Sequence, residues 1–380
     1  VIIPAFCAAK YIGKTLESVL GQSYQNIEVL VVDDGSTDET YDIVRQFTNR
    51  DRRVIVLKQS NQGTASARNL AISHASGELI APIDADDVWL PQCLERQVAA
   101  MLDSNSKVGV VYAWSFDIDH LDRSTGRFHS YAIEGDVYTT LLCHNFLGNA
   151  SCTMIRSSCL KDVGLYTREF REAGIQGCED WELCVRIAAK YKFKVVPEFL
   201  VAYRKTAQSM SRSFDSMAAS HTLLLQCAQR SASVPMPVRL LSTSSFYVYL
   251  ASQCSEVGRN ADALLWLKRA LCTECVTTLL RFAVYCLVAQ SLARIFTGKA
   301  SSGSSRSANR CSTTVPDRRN IILWWRKAIG NALHNTMQFC FERARKKARN
   351  RSQEKLHSCS VFSKSKGTPT PGLEQPGAGA

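Results

Sequence analysis

Short apolar runs alternate with stretches that are apolar on one helical face over the first ninety residues. Val1-Ile2-Ile3 reads as the end of a buried strand, closed by Pro4. Within residues 10–22, Ile12, Leu16, Val19 and Leu20 recur at i, i+4, i+7 and i+8, the period of an amphipathic helix. Residues 27–32 form a second strand that runs into Asp33-Asp34-Gly35-Ser36. Thr37 or Asp38 can cap the helix after it, which continues to Phe47 with Tyr41, Val44 and Phe47 inward. Residues 54–57 are a third strand and Asn61-Gln62-Gly63 a turn. Residues 64–75 are a small-residue helix carrying Arg68 and Asn69, stopped by Gly77. Residues 79–83 are a fourth strand that ends in Asp84, Asp86 and Asp87.

Strand and helix alternating at this short spacing predict an α/β fold, a mostly parallel sheet with helices on both faces. Ligands of such sheets bind outside the carboxyl ends of the strands. Asp33, Asp34, Asp84, Asp86 and Asp87 all lie at strand carboxyl ends, so acids some fifty residues apart can converge on one crevice. The pattern then loosens. Residues 109–114 are a strand, 122–126 a polar turn or hairpin, and 145–153 a Gly/Asn/Ser loop. Leu183, Arg186, Ile187 and Lys190 have helical spacing, which places Glu179 and Asp180 at a helix N-terminus. Residues 194–196 are a strand, and 203–205 with 209–212 make a polar, basic loop.

Residues 216–297 read as all-helical. Tyr247, Leu250, Ala251, Cys254, Gly258, Ala263, Leu267 and Ala270 match the packing positions of one tetratricopeptide-like hairpin, too few for a self-standing array. The expected organisation is a domain over 1–212, a helical region over 213–297, a linker over 298–320, a basic amphipathic helix over 321–352 and a disordered tail over 353–380.

Length and composition add three points. The 380 residues, 46% of them hydrophobic, suffice for a sizeable core and more than one domain. The net charge of +12 is uneven: residues 1–230 hold 24 basic and 27 acidic side chains, residues 231–380 hold 22 and 7. The basic run 343–351 lacks interleaved aromatics, which argues against nucleic acid; a solvated helix and contact with anionic lipid headgroups remain. The 15 cysteines are irregularly spaced and suit a reducing compartment. Cys272 and Cys275 form the one C-x-x-C pair, read as packed thiols rather than half a zinc site. No signal peptide is visible, no apolar run is long enough to span a bilayer, and the chain opens inside a strand without Met, so a truncated start is expected.

Crowded carboxylates raise one another's pKa unless a cation intervenes, and a divalent metal with hard oxygen ligands is one such cation. A solvated acidic turn is the other reading of Asp84, Asp86 and Asp87. Glu179 and Asp180 can likewise be helix-dipole complements.

Val1-Ile-Ile-Pro-Ala, Val31-Val-Asp-Asp-Gly-Ser-Thr-Asp38, Gln62-Gly63 with Ala67-Arg68-Asn69, Asp84-Ala-Asp-Asp87 and Glu179-Asp180-Trp181 occur in order over residues 1–212. Together they resemble the family 2 glycosyltransferases with the Rossmann-like GT-A fold. Cys7 departs from the family pattern, in which Asn is common. The resemblance implies that Pro4, Ala5, Phe6 and Asp34 hold a nucleotide base, usually uracil, with Asp33 supporting that loop. It implies Arg68 on the nucleotide or its phosphates, Asp84 on the ribose side, Asp86 on Mn2+ or Mg2+, and Asp180 as catalytic base. Glu179, Trp181, Arg204 and Arg212 fall where relatives handle the acceptor or close over the diphosphate. The implied partners are a nucleotide-sugar donor, a UDP-sugar as is usual in relatives of this kind, and a glycan or lipid-linked acceptor, as in polysaccharide and cell-envelope synthesis. The implied location is cytoplasmic, with peripheral contact at the inner membrane face through 343–351. Two other readings stand beside this one. A non-catalytic nucleotide-sugar-binding scaffold would not need Asp86 and Asp180. A sugar nucleotidyltransferase would want a Gly-rich basic loop after the first strand, which Pro4-Ala-Phe-Cys-Ala-Ala-Lys10 lacks.

Overall fold

Alternate residues of the second strand point to opposite sides of the sheet, and each side has its own core. Leu30 and Val32 join one cluster of buried side chains; Val29 and Val31 join the other. In the computed structural model, which describes residues 1–175, 177–205 and 213–296, this strand is β2 (Val29–Asp33). It lies between β1 (Ile2–Ala5) and β3 (Val54–Lys58), parallel to both. Pro4 sits within β1, opposite Val32, rather than closing it. Two helices, α1 (Ile12–Leu20) and α2 (Thr40–Arg50), cover one side, and α3 (Thr64–His74) covers the other.

Beyond Gly77 the sheet turns mixed. Its second part comprises β4 (Leu79–Ile80), β5 (Val88–Trp89), β6 (Val108–Ile118), β7 (Ser124–His129), β8 (Thr153–Arg156) and β9 (Lys192–Arg204), in the order β4-β8-β6-β9-β5, with β7 paired to β6 as a hairpin. The β6 and β9 strands run parallel over their whole length, so most paired residues of the fold sit in parallel ladders. The fourth strand is shorter than its apolar run suggests, and a parallel bridge from Ile2 to Pro82 ties the two parts together. The expected strand at 194–196 is longer, and Tyr203 and Arg204 end it instead of opening a loop.

Four helices attach to this sheet: α4 (Cys93–Leu102), α5 (Tyr138–Cys143), α6 (Ser157–Val163) and the single turn α7 (Glu169–Glu172). The next, α8 (Glu179–Ala188), starts where its acids predict. Then come α9 (Phe214–Ser231), α10 (Met236–Glu256), α11 (Asn260–Thr273), α12 (Cys275–Leu279) and α13 (Phe282–Phe296). The α10–α11 hairpin buries Leu250, Ala251, Cys254, Ala263, Leu267 and Ala270, turns at Gly258 and packs the Tyr247 ring at a tilt against Trp266. Its first helix, α10, and the preceding α9 share the core of the sheet domain through Phe246, Leu224 and Leu225. Arg212, the linker, the basic helix with its 343–351 run and the tail lie outside the described residues. No helix among the described residues is long and apolar enough to cross a membrane.

Candidate functional site

The carboxyl ends of β1, β2 and β3 and the turn after β4 form the crevice that the alternation predicts. Asp33 is the last residue of β2 and is fully buried; one carboxylate oxygen accepts from the Ser36 N–H at 3.2 Å and the other has no partner among the described residues. Asp34 anchors the opposite loop. Its carboxylate accepts from the Gln59 amide at 2.7 Å and from the backbone N–H groups of Gln62 and Gly63 at 2.8 Å each. That loop passes so close that a Cβ on Gly35, whose φ is +77°, would lie 2.9 Å from the Asn61 nitrogen. On the facing side the Asp34 N–H donates to the Ala5 carbonyl, and the next side chain, Phe6, stands 52% exposed at the edge of the crevice. Cys7 takes a positive φ of 48°, a conformation that Asn tolerates better than most residues.

The acidic turn after β4 sorts its three carboxylates into three states. Asp84 pairs with Arg68 of α3 at 2.5 Å, and the Arg68 guanidinium lies over the Tyr166 ring at 5.2 Å. Asp87 is fully buried; it accepts the Ser151 hydroxyl at 2.5 Å and the Arg204 N–H at 2.8 Å. Asp86 takes no side-chain hydrogen bond among the described residues. Burial and the neighbouring Asp84 push its carboxyl up to about 6. Burial and the adjacent carboxylates raise Asp87 as well.

Arg204 is a correction to the expected polar loop. Its side chain is 1% exposed and lies beneath the turn, donating to the Asp86 carbonyl at 2.7 Å, the Asp119 carbonyl at 2.8 Å and the Asp122 carboxylate at 2.5 Å. It therefore holds the acidic turn by its backbone rather than reaching outward. Ser151, Asp122 and Tyr166 share this work, and no local pattern in the sequence marks them.

Asp180 enters from the first turn of α8. Loss of solvent, with Glu179 and Asp84 nearby, pushes its carboxyl up to about 6 although Arg68 pulls the other way. Arg68 thus stands between two acids: burial disfavours its charge, but Asp84, Tyr166 and Asp180 outweigh that and hold it protonated. The next residue in α3, Asn69, fixes this arrangement by exchanging hydrogen bonds with the backbone of Tyr166 at 2.8 and 3.0 Å. A small cavity beside Asp180 is lined by Asn145, Asn149, Thr153, Tyr166 and Trp181. The structure turns Glu179 back to the Gly177 N–H and buries Trp181. Arg68, Asp84, Asp86 and Asp180 come together at this end of the sheet; Pro4, Ala5, Phe6, Asp33 and Asp34 line the side formed by the ends of β1 and β2.

Residues 1–164 match the family described as glycosyl transferase family 2. Glycosyltransferase GlyG of Streptococcus pneumoniae is 29% identical over 226 residues, 59% of this chain and 64% of GlyG. Glycosyltransferase GlyA of the same organism is 34% identical over 139 residues, 36% of this chain and 19% of GlyA. The chain therefore spans less than two thirds of either relative. Among solved structures, S. aureus TarS 1-349 in complex with UDP-GlcNAc superimposes with a TM-score of 0.51 at 19% identity, covering 78% of this chain and 91% of that one, a likeness of fold. Over residues 1–164 the chain is thus similar to the family 2 glycosyltransferases.

Proposed function

We propose that the chain is an inverting glycosyltransferase that moves a sugar from a nucleoside-diphosphate sugar, a UDP-sugar in the first instance, to a hydroxyl of a glycan or lipid-linked acceptor. The observation that carries this reading is the meeting of Arg68, Asp84, Asp86 and Asp180, from three separate segments, around one cleft. A sugar hydroxyl has a pKa far above neutrality and needs a positioned base. Asp180, poised near 6, is ionised at neutral pH yet more basic than an ordinary carboxylate. It takes the hydroxyl proton as the acceptor oxygen attacks the anomeric carbon. The bond from that carbon to the diphosphate oxygen breaks, and the nucleoside diphosphate leaves with the bonding pair. Attack opposite the leaving group inverts the carbon. The Arg68 guanidinium supports Asp84 on the ribose side and lends positive potential to the phosphates.

The residues fit a divalent cation. Asp86 offers a hard oxygen donor that no described side chain pairs with directly and that burial and Asp84 crowd despite Arg204, the condition a cation would relieve. No group of three or more His, Cys, Asp or Glu among the described residues could hold a metal alone, so the proposed ion shares the donor's diphosphate. Mn2+ or Mg2+ held there by Asp86 would neutralise charge on the departing diphosphate. The cysteines of the described residues are all unpaired, which supports a cytoplasmic site of action. Calorimetry of UDP with and without Mn2+ tests the reading. Metal-dependent binding in the wild type, lost in Asp86→Ala, is expected; equal binding by a folded Asp86→Ala would sink it. Abolished transfer in a folded Asp180→Asn separates an enzyme from a scaffold.

A further inference from the structure

The first turn of α8 is held from behind by helices that lie beyond the residues matching the family. Trp181, next to Asp180, is 5% exposed. Its indole ring sits 5.4 Å from His221 of α9 and 5.8 Å from Phe246 of α10, and those two rings stack on each other at 4.3 Å and 8°. The polar edges of the same rings end on one short helix. The Trp181 indole N–H donates to the Leu141 carbonyl at 2.8 Å. The Ser242 hydroxyl donates to the Leu142 carbonyl at 2.5 Å and lies 3.0 Å from the His221 Nε2. Since Ser242 spends its proton on Leu142, His221 is the donor in that contact. The last carbonyls of a helix have no partner of their own. Here the end of α5 is satisfied by the catalytic helix and by the helical extension together. His221 is 1% exposed, and burial lowers it to about 3, so it stays neutral and the relay keeps one direction across ordinary pH. A second contact reaches the same turn. Gly177 has a φ of +114°, and a Cβ there would lie 2.4 Å from the Met217 sulfur of α9.

We propose that α9 and α10 are part of the transferase site, with His221, Ser242 and Phe246 acting as positioning residues that fix Asp180 through Trp181. The proposal rests on Asp180 being the base. It gives the helical extension a role in the transfer step, separate from nucleotide binding, because every named contact lies on the Asp180 side and none touches the loop around Asp34.

The test uses the full chain and four variants: Ser242→Ala, His221→Phe, Phe246→Leu and His221→Gln. Phenylalanine keeps the ring and loses the donor; glutamine keeps a donor near the position of Nε2. The readouts are UDP affinity by calorimetry, hydrogen exchange across residues 178–184, and UDP release from UDP-glucose, UDP-galactose and UDP-N-acetylglucosamine with Mn2+. The first three variants are expected to speed exchange across 178–184 and to lower turnover about tenfold or more, the scale of a small misplacement of a reacting group. UDP affinity is expected to stay within about twofold of the wild type, and His221→Gln to restore both exchange and turnover. Unchanged exchange in folded Ser242→Ala and His221→Phe overturns the proposal. So does loss of UDP affinity in step with turnover, which would mean general loosening. Asp180→Asn is measured alongside. If it turns over normally, the assignment of the base fails, while the exchange comparison still decides whether the helices hold this turn.

Discussion

Lowering the pH is the sharpest perturbation of the proposed base. Asp180 is pushed from the ordinary 3.8 up to about 6 by burial, with Glu179 and Asp84 adding to it and Arg68 opposing. At that value about 90% of it is ionised at pH 7 and about 10% at pH 5, whereas an unperturbed aspartate would still be about 90% ionised at pH 5. Turnover at saturating donor should therefore fall nearly tenfold between pH 7 and pH 5, approaching one decade per pH unit below. Asp86 is pushed into the same window by burial and Asp84. UDP–Mn2+ affinity must accordingly be measured at each pH, so that loss of binding is not counted as loss of chemistry. The step in kcat belongs to the donor complex, and that in kcat/KM to the free protein. Asp180→Asn should cost about 100- to 10,000-fold at pH 7.5 and leave a residual rate without the acid limb. The same substitution tests the linkage. A carboxyl raised on folding favours the folded state below its unfolded value, and that advantage is lost as pH rises through 6. Replacing it with a neutral amide should thus stabilise the chain at pH 8 by at most about 3 kcal/mol, and by little at pH 4. Turnover that stays flat down to pH 5, or an Asp180→Asn protein that is folded and within about fivefold of wild type, refutes the assignment.

Arg204→Lys should destabilise the fold by about 3 kcal/mol in urea denaturation, because it removes a buried fork that serves two carbonyls and Asp122; a loss under about 1 kcal/mol would show that the turn needs no such anchor. Deleting residues 343–351 should weaken co-sedimentation with anionic liposomes at low salt, since a polybasic run gains about 1 kcal/mol per basic residue near such a surface. Equal sedimentation of the two proteins rules out that contact.

The first four strands and their helices were legible because each buries an alternating or one-faced apolar set, and burial on two sides of one sheet leaves a periodic trace. The acids at their ends were legible for the same reason: once the strands are placed, so are Asp33, Asp34 and Asp84. Tyr203-Arg204-Lys205 shows where such reading stops. Three polar residues in a row look like a loop, yet Arg204 closes a long strand and is buried. What makes its burial tolerable comes from the Asp86 and Asp119 carbonyls and the Asp122 carboxylate, 118, 85 and 82 residues earlier in the chain. No window along the sequence contains both the charge and its partners.

The division of labour among the acids is non-local in the same way. Asp84, Asp86 and Asp87 are chemically alike and nearly adjacent, so sequence can name the cluster but not its states. Arg68 claims Asp84, while Ser151 and the Arg204 N–H claim Asp87. Asp86 is left by subtraction as the carboxylate with charge to spare. Asp180 owes its basicity to the same circumstance. Tyr166, Trp181 and Cys184 line the cavity beside it, and one cation, Arg68, serves both it and Asp84. A motif therefore records which groups the chemistry requires, whereas their protonation is set by segments that meet only in the folded chain. On the positioning role proposed for them, the helices behind Trp181 belong to that second set, and the tetratricopeptide-like spacing within α10 records their packing and not the reaction.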